Sequence, residues 1–326
     1  MEPLNPSIGT LHDVAAFTRA AERHRRELQV HCYRMLGSFE DAEDLVQETF
    51  LRAWRRRETY EGRASFRAWL YRIATNACLD ALKRRPRVLV PAGATAAEIP
   101  WLQPYPDDLL EGIAPSGDEP EAAIVAKETI ELAFLVAIQH LPPNQRAVLI
   151  LRDVLGWSAN ETASLLDTSV ASANSALQRA RATLKRHLSE RRVEWGPEVE
   201  PSAEERALLQ RYVEAHERSD VAGMAALLRE DVVFSMPPDP EWRQGREDVI
   251  GFWVEAGFGT NSFGEFRAVL TRANLQPAVA FYLRKPGEQE FRAMALDVLR
   301  IEDGAIAEVT TFVPELFRAF GLAPVL

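Results

Sequence analysis

Cysteine is scarce in this 326-residue chain: Cys32 and Cys78 are its two, in no CxxC or metal-ligand spacing. That excludes a disulfide framework and leaves two reduced thiols as the reading. Long apolar runs are missing as well, since none approaches the roughly 20 residues that cross a bilayer, and no membrane contact is expected. The opening stretch MEPLNPSIGTLHDV carries neither a basic n-region nor an apolar h-region, so a cytoplasmic location is expected. There is no GxxxxGK[ST] loop for nucleotide phosphates, no internal repeat and no low-complexity tract. No cofactor, metal or catalytic role is expected. Positive charge is in deficit, with 38 Lys and Arg against 48 Asp and Glu.

That deficit is unevenly spread. Residues 50–87 hold 11 Lys and Arg against 3 Asp and Glu, and residues 169–192 hold 6 against 1. Between them, residues 98–131 hold 1 against 9, and from residue 196 onward the balance is 13 against 22. Two basic patches separated by an acidic connector are the electrostatic footprint of a protein that meets a polyanion at two places.

The length suggests two or three folding units at roughly 150 residues each. Helical periodicity fills residues 10–87. Residues 88–121 break it with Pro91, Pro100, Pro104, Pro106, Pro115 and Pro120, which marks a linker. Periodicity resumes over 122–192, interrupted at Leu141-Pro142-Pro143 and Gly156, and a third unit spans 203–326.

In DAEDLVQETFLRAWRRR (41–57), acids open the helix and arginines close it, which complements the macrodipole. Leu45, Val46, Thr49, Phe50 and Ala53 form its apolar stripe, leaving Asp44, Gln47 and Glu48 outside. In FRAWLYRIATNACLDALKRR (66–85), Phe66, Trp69, Leu70, Ile73 and Ala77 share one stripe, and Arg72, Asn76 and Lys83 lie along a neighbouring flank able to reach phosphates or base edges. Trp69 and Tyr71 fit a core role better than a stacking role, although aromatics beside a basic flank also suit unstacked bases. Residues 141–188 have the organisation of a helix-turn-helix. Ser158 and Glu161 form a capping box, and a turn at Asp167-Thr168-Ser169 starts a helix with Ala173, Leu177, Ala180, Leu184 and Leu188 inward and Asn174, Ser175, Gln178, Arg179, Lys185 and Arg186 outward.

Four ordered motifs, DAEDLVQETFLRAW, FRAWLYRIATNACLDALKRR, LPPNQRAVLILRDVLGWSANETASLL and SALQRARATLKR, make residues 10–190 resemble the extracytoplasmic-function sigma factors of the sigma-70 class. The resemblance implies a transcription initiation factor whose partners are core RNA polymerase and promoter DNA. It implies that Asp44, Gln47 and Glu48 contact polymerase, that Arg72, Asn76, Lys83, Arg84 and Arg85 meet the proximal promoter element, and that Asn174, Ser175, Gln178 and Arg179 read the distal one. Many relatives carry a base near position 174 or 176, where this chain has Asn174 and Ala176, so distal affinity or preference is expected to differ. The linker stretch WLQPYPDDLL is similar to the signature of a subgroup with a fused SnoaL-like domain. Trp101, Leu102, Tyr105, Leu109 and Leu110 make it too apolar for a free tether, and it is expected to pack on folded protein or polymerase.

In the third unit, helices at 203–229 precede a strand from Asp231, a helix near 246–256 and strand-like runs at 264–273, 277–284, 291–302 and 305–313, the last two joined by the turn signal Asp303-Gly304. This order, with VVFSMPPDPEWRQGREDVIGFW, is similar to the SnoaL-like, nuclear-transport-factor-like cone. The fold expected is therefore multi-domain: two all-α sigma domains, the second a helix-turn-helix, then an α+β cone with a curved antiparallel sheet. Asp297 and His216 are the cone's possible acid-base groups, with no convergence evident from sequence. The cone is expected to regulate, by contacting the sigma domains or binding a small apolar ligand. The alternatives are a helix-turn-helix regulator acting without polymerase, and an enzyme with a DNA-binding tether.

Overall fold

The structure, a computed structural model, describes residues 11–85, 96, 99–110, 130–187, 202–260 and 263–326. The chain divides into two compact units, Met1–Ala92 with Leu110–Trp195, and Gly93–Leu109 with Gly196–Leu326. Leu188 and the linker positions 88–95 and 111–121 lie outside the described residues.

The first unit is helical: α1 (Val14–Glu22), α2 (Arg25–Leu36), α3 (Phe39–Arg55), α4 (Phe66–Arg84), α5 (Leu132–Gln139), α6 (Pro143–Leu149) with a π turn at Ile150–Val154, α7 (Ala159–Leu165) and α8 (Val170–His187). Gly37, at φ 72°, ends α2 in the left-handed conformation that a glycine adopts without steric cost. One residue on, Ser38 accepts from the Asp41 amide and starts α3. Ala42, Val46, Thr49 and Ala53 bury one face of α3, and Phe66, Leu70, Ile73 and Ala77 bury the matching face of α4. The stripe read from the sequence therefore packs as expected, with Leu45 and Phe50 half-buried at its edges.

The two helical groups, expected as separate domains, share a buried seam within this unit. Arg146 of α6 donates to Gln139 Oε1 (2.5 Å), Gln139 O (2.7 Å) and Leu141 O (3.2 Å), and also to Met35 O at the end of α2. Gln139 in turn donates to Arg34 O, and the Trp157 ring lies 5.4 Å from that of Tyr71. No carboxylate pairs with Arg146 among the described residues. Its charge sits instead on carbonyls at the C-terminal ends of α2 and α5, where both helix dipoles are negative. Burial still lowers its pKa, to about 9.

The second unit opens with α9 (Ala203–Glu217) and α10 (Val221–Leu227), followed by β1 (Leu228–Ser235), β2 (Trp242–Gln244), α11 (Arg246–Glu255) and the strands β3 (Glu265–Ala273), β4 (Gln276–Arg284), β5 (Arg292–Glu302) and β6 (Ala305–Phe312). The sheet order is β2-β1-β6-β5-β4-β3. The β3–β6 meander is antiparallel as expected, and Asp303 and Gly304 both take positive φ in its last turn. The sheet as a whole is mixed, not antiparallel: β6 returns beside β1 in the same direction, because α11 carries the chain across before the meander begins.

Residues 99–109, between the sigma-like motifs in sequence, pack within this second unit. Ile99, Leu102 and Tyr105 are buried, and Pro106 bridges to Ala273 at the end of β3. The apolar linker is thus a strap on folded protein. Its anchor is the β3–β4 turn, where Asn274 and Leu275 both take positive φ, 57° and 60°. A bulky residue such as leucine rarely adopts this conformation, at a cost of about 1–2 kcal/mol. The strap over-determines it: Leu275 N donates to Asp107 Oδ1 (2.8 Å), and Arg272 Nε donates to Asp107 Oδ2 (3.1 Å). Burial raises the Asp107 pKa despite these partners.

Candidate polymerase, promoter and cavity sites

The packing of α3 against α4 leaves each helix one outward face. On α3, Asp44 and Gln47 are exposed and Glu48 is half-exposed, its carboxylate accepting from Arg52 Nε at 2.8 Å. Leu51, 52% exposed, continues this face one turn on. Sequence reading passed over Leu51. The available signal was an apolar residue at i+3 and i+4 from two surface polar positions.

On α4, Arg72, Asn76, Lys83 and Arg84 are exposed, and the first three share one flank. Lys83 donates to Asp80 at 3.3 Å, a surface pair that competes weakly with another anion. Arg85 does not join them. Its guanidinium donates to Leu36 O (2.8 Å) and pairs with Asp41, so it ties the end of α4 to α2 and α3. Tyr71 is buried against His31 and Trp157, which makes it core. Trp69 is half-buried between Tyr60 and Phe66, with part of its ring still at the surface.

In the helix-turn-helix, Ser158 and Glu161 form the expected capping box, at 2.8 and 3.2 Å. Ser169 accepts from Ser172 N and starts α8. Along α8, Ala173, Ala176, Leu177 and Ala180 are buried while Asn174, Ser175, Gln178 and Arg179 are exposed. Small apolar residues inside let α8 sit close on α7, so its polar face stands clear of the unit. Arg181 forms a two-bonded pair with Asp153, 2.6 and 2.8 Å, that fixes α8 to the π turn.

The cone encloses a cavity of about 260 Å³. His216, from α9, and Asp297, from β5, both line it, a convergence sequence reading did not foresee. Asp297 faces Thr311 across the β5–β6 pair and accepts from Thr311 Oγ1 (2.6 Å) and Tyr212 Oη (2.8 Å). Burial raises its pKa to about 6 in spite of those donors. His216 is stacked on Phe281, ring centroids 4.0 Å apart, and burial lowers its pKa to about 3. No group of His, Cys, Asp and Glu among the described residues could hold a metal ion. No helix among them is long and apolar enough to cross a membrane.

The chain matches the Sigma-70 region 2 family over residues 20–88, the Sigma-70 region 4 family over 131–184 and the SnoaL-like domain family over 209–309. Two sigma regions followed by a SnoaL-like cone define a transcription initiation factor of the sigma-70 class. The chain is 38% identical over 319 residues to the ECF RNA polymerase sigma factor SigG of Mycobacterium tuberculosis, which covers 94% of this chain and 84% of SigG. It is 28% identical to SigJ of the same organism, over 87% of this chain and 88% of that one. The crystal structure of SigJ has the same fold over 95% of this chain and 100% of its own, with a TM-score of 0.60 at 24% identity. This chain belongs to the ECF RNA polymerase sigma factors. As such it is a factor of promoter-specific transcription initiation acting with core RNA polymerase.

Proposed function

We propose that the three outward faces divide the work of initiation. Asp44, Gln47 and Glu48, with Leu51, grip core polymerase; Arg72, Asn76, Lys83 and Arg84 hold the proximal promoter element; Asn174, Ser175, Gln178 and Arg179 read the distal one. Arg85 serves the fold instead. The observation that carries this reading is the separation of faces on α3 and α4, one acidic with an exposed leucine and one basic, on helices whose other sides are buried. An acidic-apolar face suits a basic protein surface, and a basic flank suits phosphate and parted strands. Acting where polymerase acts, the protein works in the cytoplasm.

The cone is proposed as a regulatory module without catalytic chemistry. Its hold on the linker supports this, because it clasps the chain that joins the two DNA-binding regions. Neither acid-base group in the cavity is poised for turnover: His216 remains neutral, and both Asp297 oxygens already accept hydroxyl donors. In vitro transcription with core polymerase, comparing the full chain with one lacking residues 196–326, tests the whole reading. Promoter-specific starts whose yield changes on truncation are expected; no starts from either chain would overturn the sigma assignment of these faces.

A further inference from the structure

The outward face of α8 changes character along the helix. From Val170 to Gln178 it holds no Lys or Arg, and nowhere does α8 hold Asp or Glu. Its first outward side chains are apolar. Val170 keeps 37% of its surface exposed and Ala171 is exposed, while Ala173 and Leu177 behind them are buried. At 3.6 residues per turn, Val170 and Ala171 stand one turn before Asn174 and Ser175, on the same side of the helix. Ser172 is exposed too, but it is engaged in starting the helix: its amide donates to Ser169 Oγ at 3.1 Å, and its hydroxyl accepts from that of Ser169 at 2.9 Å.

The four bases ask different things of a side chain in the major groove. Guanine suits Arg or Lys, cytosine suits Asp or Glu, adenine suits Asn or Gln, and thymine offers an apolar C5 methyl. The leading turns of α8 therefore lack the readers of a G·C pair and carry those of an A·T pair: an apolar lip, Val170 and Ala171, for thymine, then the amides of Asn174 and Gln178 for adenine. Against phosphates such a lip would strip water from anionic oxygens and return no hydrogen bond. Against methyls both surfaces gain by losing water. The basic side chains come later. Arg179 stands at the edge of this face and Arg181 is held by Asp153, while Lys185 and Arg186 lie roughly 20 Å along the axis from Ala171, placed for flanking phosphates.

We infer that Val170 and Ala171 determine specificity in the distal promoter element by packing on the C5 methyls of one or two adjacent thymines, with Asn174 and Gln178 binding adenine edges beside them. This assignment rests on α8 being the helix that reads the distal element, and it adds two residues and a base identity to that reading.

Core polymerase carrying the full-length protein first selects duplexes from a random-sequence library. In the tightest duplex, each thymine of the distal element is then replaced by uracil, which removes the C5 methyl and leaves base pairing unchanged. Uracil at one or two adjacent positions should weaken binding about fourfold per methyl removed. The Val170→Ser/Ala171→Ser protein should bind the thymine and uracil duplexes equally. No thymine sensitive to uracil, or undiminished sensitivity in the serine variant, would overturn the inference. The uracil scan uses the native chain, so a folding defect in a variant cannot mask the result. Asn174→Ala/Gln178→Ala separates the lip from the reading beneath it. If that protein selects the same distal elements as the native chain, α8 is not the reader and both fall; if it selects different ones while uracil has no effect, the lip alone falls.

Discussion

Tyr105 and Asn274, 169 positions apart in the chain, exchange two hydrogen bonds: Tyr105 N donates to Asn274 Oδ1 at 2.8 Å, and Asn274 N donates to Tyr105 O at 2.9 Å. Both residues are fully buried. The pair fastens the linker of the sigma regions to the β3–β4 turn of the cone. Asn274→Ala strands the Tyr105 amide, which costs about 1–3 kcal/mol. Hydrogen exchange should show amides of residues 99–109 losing protection in this variant while the sheet keeps its own.

Leu275 is held at φ 60° in the same turn. Leu275→Gly removes the steric cost of that conformation, and the cone should gain about 1 kcal/mol in denaturant unfolding. An equal or lower midpoint would show that the leucine contributes packing which outweighs the strain.

Arg146 is a buried cation held by carbonyls alone. Arg146→Met keeps the volume and removes every donor, leaving the carbonyls of Met35, Gln139 and Leu141 without it. A loss of about 1–3 kcal/mol in the stability of the helical unit is expected, measured by far-ultraviolet circular dichroism in denaturant. Protection at the end of α2 and the end of α5 should fall together.

Asp297 makes stability depend on pH in an unusual direction. Its pKa is raised by burial to about 6, so between the unfolded value and about 6 the folded chain binds more protons than the unfolded one. Stability from this group is therefore present at low pH and lost as pH rises through that window. Asp297→Asn, which does not titrate, should gain on the native chain by about 2 kcal/mol between pH 4 and pH 7. His31 and His216, both pushed down to about 3 by burial, work in the opposite direction in both proteins and cancel in the comparison.

Much of this was legible in the sequence because it is local. Periodicities of 3.6 and 2 placed α3, α4, α8 and the β3–β6 meander within a residue or two, and on α8 Ala173, Leu177 and Ala180 are buried and Asn174, Ser175, Gln178, Arg179, Lys185 and Arg186 exposed as expected, with Leu184 half-buried. What escaped depends on partners far apart in the chain. The strap was visible as too apolar to be free, yet nothing in the stretch named the Asn274-Leu275 turn, which lacks the glycine that marks most such turns. Arg85 was read as a promoter contact because its neighbours are; only the fold brings Asp41 and Leu36 O to it. The parallel β1–β6 pair and the presence of His216 and Asp297 on one cavity likewise depend on tertiary packing, which no local pattern carries.

The central claim is that the outer face of α3 grips polymerase while the flank of α4 does not. Core-polymerase affinity of the Asp44→Lys/Glu48→Lys protein, set beside an Arg72→Ala/Asn76→Ala protein, tests it most directly by fluorescence anisotropy. The account predicts at least tenfold weaker association for the first and no change for the second. Native-like affinity of the charge-reversed protein, with its helical fold intact, would contradict it.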